Sequence, residues 1–142
     1  MTQENQSERL FSGKFKVVSL YLNVVEQGWT LFRRYGPKTF LWEFIPDKTL
    51  NFPSGTVAYE GKLHEHFRES PKEVTEFAWY PEDKQLYIDR SDYEPDGFIN
   101  ICINDRYRVE RINKTDFWLY DLEDVENEPE DYRFRMKVKI IE

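Results

Sequence analysis

Two histidines two residues apart, His64 and His66 in the run "HEH", are the side chains best spaced to share a metal. On an extended backbone, alternate residues face the same side. A protein zinc site needs at least a third ligand. The chain has no other histidine, so that ligand would have to be a carboxylate or Cys102. The run "DYEPDGFIN" places Asp92, Glu94 and Asp96 at alternate positions, with Gly97 and Ile99 behind them, which partly matches a calcium loop. Ile103 stands where such a loop supplies its bidentate carboxylate, and an Asp-Gly turn between strands has a sufficient cause in backbone conformation. Polar surface histidines and a turn are therefore expected, with no metal and no cofactor.

The stretch "DLEDVENEPED" carries seven carboxylates within residues 121–131. Runs of like charge resist burial and stay solvated, with partner binding as the other use. No nucleophile is paired with a base and no glycine-rich phosphate loop is present. No catalytic activity is expected.

Composition narrows the classes. The chain of 142 residues has formal net charge -7, from 27 acidic and 20 basic side chains, and 17% of it is aromatic. An acidic balance argues against tracking a phosphate backbone. Arg133, Arg135, Lys137 and Lys139 do share one parity of a single segment, and they read as a solvated strand face. One cysteine permits no internal disulfide and suits a reducing compartment. The opening "MTQENQSERL" lacks the apolar core of a signal peptide, and no apolar run is long enough for a membrane-spanning helix. A soluble, cytoplasmic protein is expected, with residues 1–10 flexible and 11–142 forming one domain.

The elements that must position any site are strands. Phe15, Val17, Ser19 and Tyr21 alternate with lysines in the first, from about 13 to 24. Phe40, Trp42 and Phe44 alternate in the next, after an irregular 24–39 link; "IPDKT" then reads as a turn, and Leu50 and Phe52 resume. Residues 60–72 read as a polar loop or single helical turn. Phe77 and Trp79, Leu86 and Ile88, Tyr107 and Val109, Phe117 and Leu119, and Phe134, Met136 and Val138 continue the period of two. No segment shows a 3.6-residue period. Short reversals between eight or nine strands predict an all-β antiparallel up-and-down barrel, which removes sheet edges, whereas a two-sheet sandwich would need long crossovers.

"GKF" at 13–15, "WEFIPDKTL", "YRVERI" and "FWLYD" follow, across nearly the whole chain, an order that resembles the lipocalin-like (calycin) barrels, above all the small bacterial lipocalin-like domains. That family opens on Gly-x-Trp, with the Trp packed at the closed barrel end beneath a basic residue of the last strand. The resemblance implies that Gly13 and Phe15 take the first two positions and Arg133 or Arg135 the third. Phenylalanine keeps the ring but lacks the indole N–H.

Parity then predicts an inner wall of Ser19, Tyr21, Trp42, Phe44, Phe77, Trp79, Tyr107, Phe117, Phe134 and Met136, with Phe52 also turned inward. An apolar, aromatic wall with a few hydroxyls suits a small hydrophobic ligand. Its many rings equally suit a filled barrel acting as a non-catalytic interaction or structural module. No ionisable side chain is expected on that wall.

Overall fold

The computed structural model describes residues 10–24, 26–67, 73–89, 106–122 and 134–141. Among the described residues nine strands follow one another: β1 (Gly13–Val24), β2 (Gly28–Arg34), β3 (Phe40–Asn51), β4 (Val57–Phe67), β5 (Glu73–Tyr80), β6 (Gln85–Asp89), β7 (Arg106–Arg111), β8 (Asp116–Asp121) and β9 (Phe134–Ile140). All pairings are antiparallel. The sheet runs β2-β1-β3-β4-β5-β6-β7-β8-β9, and β9 returns to β1. That last pairing closes eight strands into a ring and leaves β2 outside it. Among the described residues no helix is long and apolar enough to cross a membrane.

The edge of β1 is divided between two neighbours. Residues Gly13–Lys16 pair with β3, and Ser19–Val24 pair with β2. The 24–39 link, expected to be irregular, thus contains a strand. "WTLF" supplies residues that favour one, and Glu26 and Gly28 accept positive φ (69° and 77°) at the reversal. The polar stretch from residue 60 is likewise strand as far as Phe67, because Tyr59, Gly61, Leu63 and Glu65 alternate inward against β3 and β5. "IPDKT" is no turn either. It lies within β3, where an irregularity between Pro46 and Lys48 bends the strand without ending it. Phe52 falls beyond that strand and is exposed.

Two glycines have distinct causes. Gly13 opens β1 at φ +98°, where a side chain would be strained although the space around it is empty. Gly61 has no such φ, but a Cβ there would lie 2.1 Å from the Ile45 carbonyl oxygen, so the bent β3 backbone occupies its place.

The most consequential irregularity is in β1. Val17 stands opposite Val138, but Ser19, not Val18, stands opposite Lys137. One extra residue is inserted, and a one-residue slip exchanges the two faces of a strand. Beyond it Leu20 faces Met136 and Leu22 faces Phe134, both inside, while Tyr21 pairs with Arg135 outside.

Candidate functional site

The barrel interior differs from one end to the other. At the end where β1 starts, aromatic rings fill it. Phe11 is buried, with ring centroids 5.4 Å from Phe15, 5.0 Å from Phe44 and 4.9 Å from Trp79. Phe15 lies 5.3 Å from Phe44 and 6.3 Å from Phe117, and Phe44 packs edge-on against Phe77 at 4.9 Å. Tilted and edge-to-face contacts of this kind add to what burial alone contributes. The connections at this end are tight. Gly55 N–H donates to Phe52 O, Lys84 N–H donates to Pro81 O, and Asn113 Oδ1 accepts from both Thr115 N–H and Asp116 N–H.

Strands β4, β6 and β8 finish at the opposite end, where the chain passes into 68–72, 90–105 and 123–133. In this half the inner wall turns partly polar. Glu65 is 3% exposed and Asp121 2% exposed. Both are inward by parity, on β4 and β8, which stand on opposite walls of the ring. The indole N–H of Trp42 donates to Glu65 Oε2 at 2.9 Å. Thr75 is buried beside them and donates to the Leu63 carbonyl at 3.4 Å. Tyr107, fully buried, pairs with Asp121 across β7 and β8.

Of the residues expected on the inner wall, Trp42, Phe44, Phe77, Trp79, Tyr107, Phe117, Phe134 and Met136 are all buried in one contiguous core. Phe44, Trp79 and Phe117 belong to the packed floor. Trp79 Nε1 is buried there with no hydrogen-bond partner among the described residues. Ser19 and Tyr21 are corrections: the inserted residue of β1 sets them opposite Lys137 and Arg135, on the outward parity, where Ser19 is nonetheless buried. Glu65 and Asp121 overturn the expectation of an inner wall without ionisable groups. The parity shared by Tyr59, Leu63 and Phe67 is the sequence signal that could have placed Glu65 inside.

Arg135 does not close the barrel over Phe15. Phe15 pairs with Ile140, whereas Arg135 pairs with Tyr21, five residues back along β9 and so roughly 16 Å away at about 3.3 Å per residue. Arg133 lies outside the described residues. A cation that does lie against a ring of the floor is Arg111, whose guanidinium carbon is 4.9 Å from the Phe117 centroid.

Arg135 is instead held on the outer wall by four rings. Its guanidinium carbon lies 3.7 Å from the Trp118 centroid, 4.6 Å from Trp29, 5.5 Å from Tyr21 and 5.7 Å from Tyr120. Its Nη1 also donates to the Tyr120 hydroxyl at 3.1 Å. Lys137 and Lys139 on the same face do meet solvent, each 3.8 Å from Asp116.

His64 and His66 face outward, next to Glu43 and Leu41, in a shallow groove of about 220 Å³. Among the described residues no group of three His, Cys, Asp or Glu could hold a metal ion. The 92–100 segment lies outside the described residues. Compared with protein-family models, curated proteins and solved structures, the chain matches none.

Proposed function

We propose that the barrel is lipocalin-like in its use as well as its shape, and binds a small, mainly apolar molecule through the end where β4, β6 and β8 finish. The axial asymmetry of the interior carries this reading. Rings fill one end, while Glu65, Thr75 and Asp121 lie inside toward the other. A mostly apolar wall with a few placed polar groups is the usual make-up of a ligand site. Trp42 stands between the two halves, touching Phe44 and Phe40 at 5.6 and 5.7 Å and holding Glu65 by its N–H. A guest entering from the polar end meets this indole before it meets the floor.

The test is tryptophan emission during titration with a fatty acid, a fatty amine and a neutral hydrophobic dye. A saturable change is expected with at least one of them, and Trp42→Phe should diminish it. Trp29→Phe and Trp118→Phe, both on the outer wall, should leave the affinity unchanged. The packed floor favours a second reading, a filled barrel that serves as an interaction module. Flat titrations with all three probes, and with the described fold retained, would establish that reading instead.

A further inference from the structure

The floor of the barrel holds a buried donor with no acceptor among the described residues, the Nε1–H of Trp79, a residue only 4% exposed. An indole N–H can only donate, and leaving it unsatisfied away from water is costly. The same indole lines a cavity of about 450 Å³ at the end of the barrel where β1 starts. The β5–β6 and β7–β8 reversals border this cavity, and the Val109 N–H donates to the Lys84 carbonyl at 2.8 Å, tying the first of them to β7. Its volume is within the roughly 300–1,000 Å³ of small-molecule sites.

The lining has an apolar part and a charged part. Leu10, Val109 and Phe117 supply the first; Lys84, Glu110 and Arg111 supply the second. Arg111 is held in place, with its guanidinium carbon 4.9 Å from the Phe117 centroid and its Nη1 donating to the Asn113 and Lys114 carbonyls at 3.2 and 3.3 Å. Those acceptors are neutral. Among the described residues neither Arg111 nor Lys84 is paired with a carboxylate. Glu110 has the opposite parity from Val109 and stands across from Trp118, half-buried. Glu82 and Asp83, on the β5–β6 reversal, are exposed and do not line the cavity.

Two cations, a buried donor and an apolar wall suit a guest that brings charged acceptors on an apolar body. We propose that this cavity is a binding site for a small carboxylate of that kind. One carboxylate oxygen accepts from the Trp79 indole, the other meets Lys84 and Arg111, and the apolar body covers Leu10, Val109 and Phe117. The site lies at the floor end, and is independent of whatever the barrel interior takes up through its other end.

Heteronuclear NMR of the full chain tests this, because each indole N–H gives its own signal. Trp79→Phe and Trp42→Phe identify two of these signals by removing them. Titration with naphthoate should shift the Trp79 signal saturably, and the neutral naphthalenemethanol should bind more weakly by roughly tenfold or more. Lys84→Gln and Arg111→Gln should each weaken naphthoate, with far-UV circular dichroism as the check that each variant is folded. A Trp79 signal that does not move saturably would overturn the inference, and so would affinity indifferent to both substitutions. Naphthoate that moves the Trp42 signal and not that of Trp79 would also overturn it, while leaving a guest in the barrel interior.

Discussion

The indole N–H of Trp42 and the Oε2 of Glu65 are 2.9 Å apart, with Trp42 1% and Glu65 3% exposed. A carboxylate removed from water is costly unless donors replace its hydration. The β3–β4 register supplies one by setting these residues directly opposite each other.

Breaking this pair should therefore cost more than the lost contact. Trp42→Phe keeps most of the ring but withdraws the donor, with an expected loss of roughly 2–4 kcal/mol. Glu65→Gln keeps an acceptor for the indole and should cost about 1 kcal/mol. Urea unfolding of both single variants and the double variant measures the coupling between them. Independent, additive losses would show that the hydrogen bond contributes nothing of its own.

Arg135 presents a different test, because its partners are ring faces. A planar guanidinium 3.7 Å from the Trp118 centroid cannot be reproduced by an ammonium. Arg135→Lys should lower stability by roughly 1–2 kcal/mol, at the upper part of the range for cation–π contacts. The near-UV circular dichroism of the surrounding indoles should change with it. Tyr120→Phe removes the acceptor of the Nη1 bond while keeping the ring, and about 1 kcal/mol is expected. Stability unchanged in Arg135→Lys would mean that a simple positive charge suffices there.

The two glycines should respond to alanine in different ways. Gly13→Ala imposes a side chain at φ +98° with open space around it, so the cost is conformational, about 1–2 kcal/mol. Gly61→Ala drives a Cβ toward the Ile45 carbonyl and Pro46 Cα, which are backbone atoms that cannot rotate away. Its loss should reach or exceed the roughly 1–3 kcal/mol typical of overpacked interiors. Thermal melts rank the two, and the opposite order would contradict the close approach of β3 and β4 at this point.

Most of the inner wall was legible because strand side chains alternate without exception as long as the ladder is regular. "FLWEF", "FAW", "LYI", "FWL" and "FRMKV" each begin a run of apolar residues at alternate positions, and the structure buries that alternate set together. Closure into a ring follows from the same pattern, since strands with one apolar face and short reversals must cover that face and their own edges. The acidic loops and the single cysteine added little to this.

What the local pattern could not reveal were the places where a strand departs from its own period. Nothing in "KVVSLYL" marks Val18 as the inserted residue, because Val17, Val18, Leu20 and Leu22 are acceptable on either face. The choice is made across the sheet, where Met136 and Phe134 of β9 draw Leu20 and Leu22 inside. Tyr21 is thereby sent outward to Arg135, and the expected barrel-end cation becomes the centre of an outer-wall cluster. Glu65 is the inverse case: a charged residue between two histidines reads as surface although the parity of Tyr59 and Leu63 carries it inward, and the register supplies its partner by setting it opposite the Trp42 indole. Alternation is a property of one strand and is carried by its residues; register is a relation between strands, and it exists only once the barrel has closed.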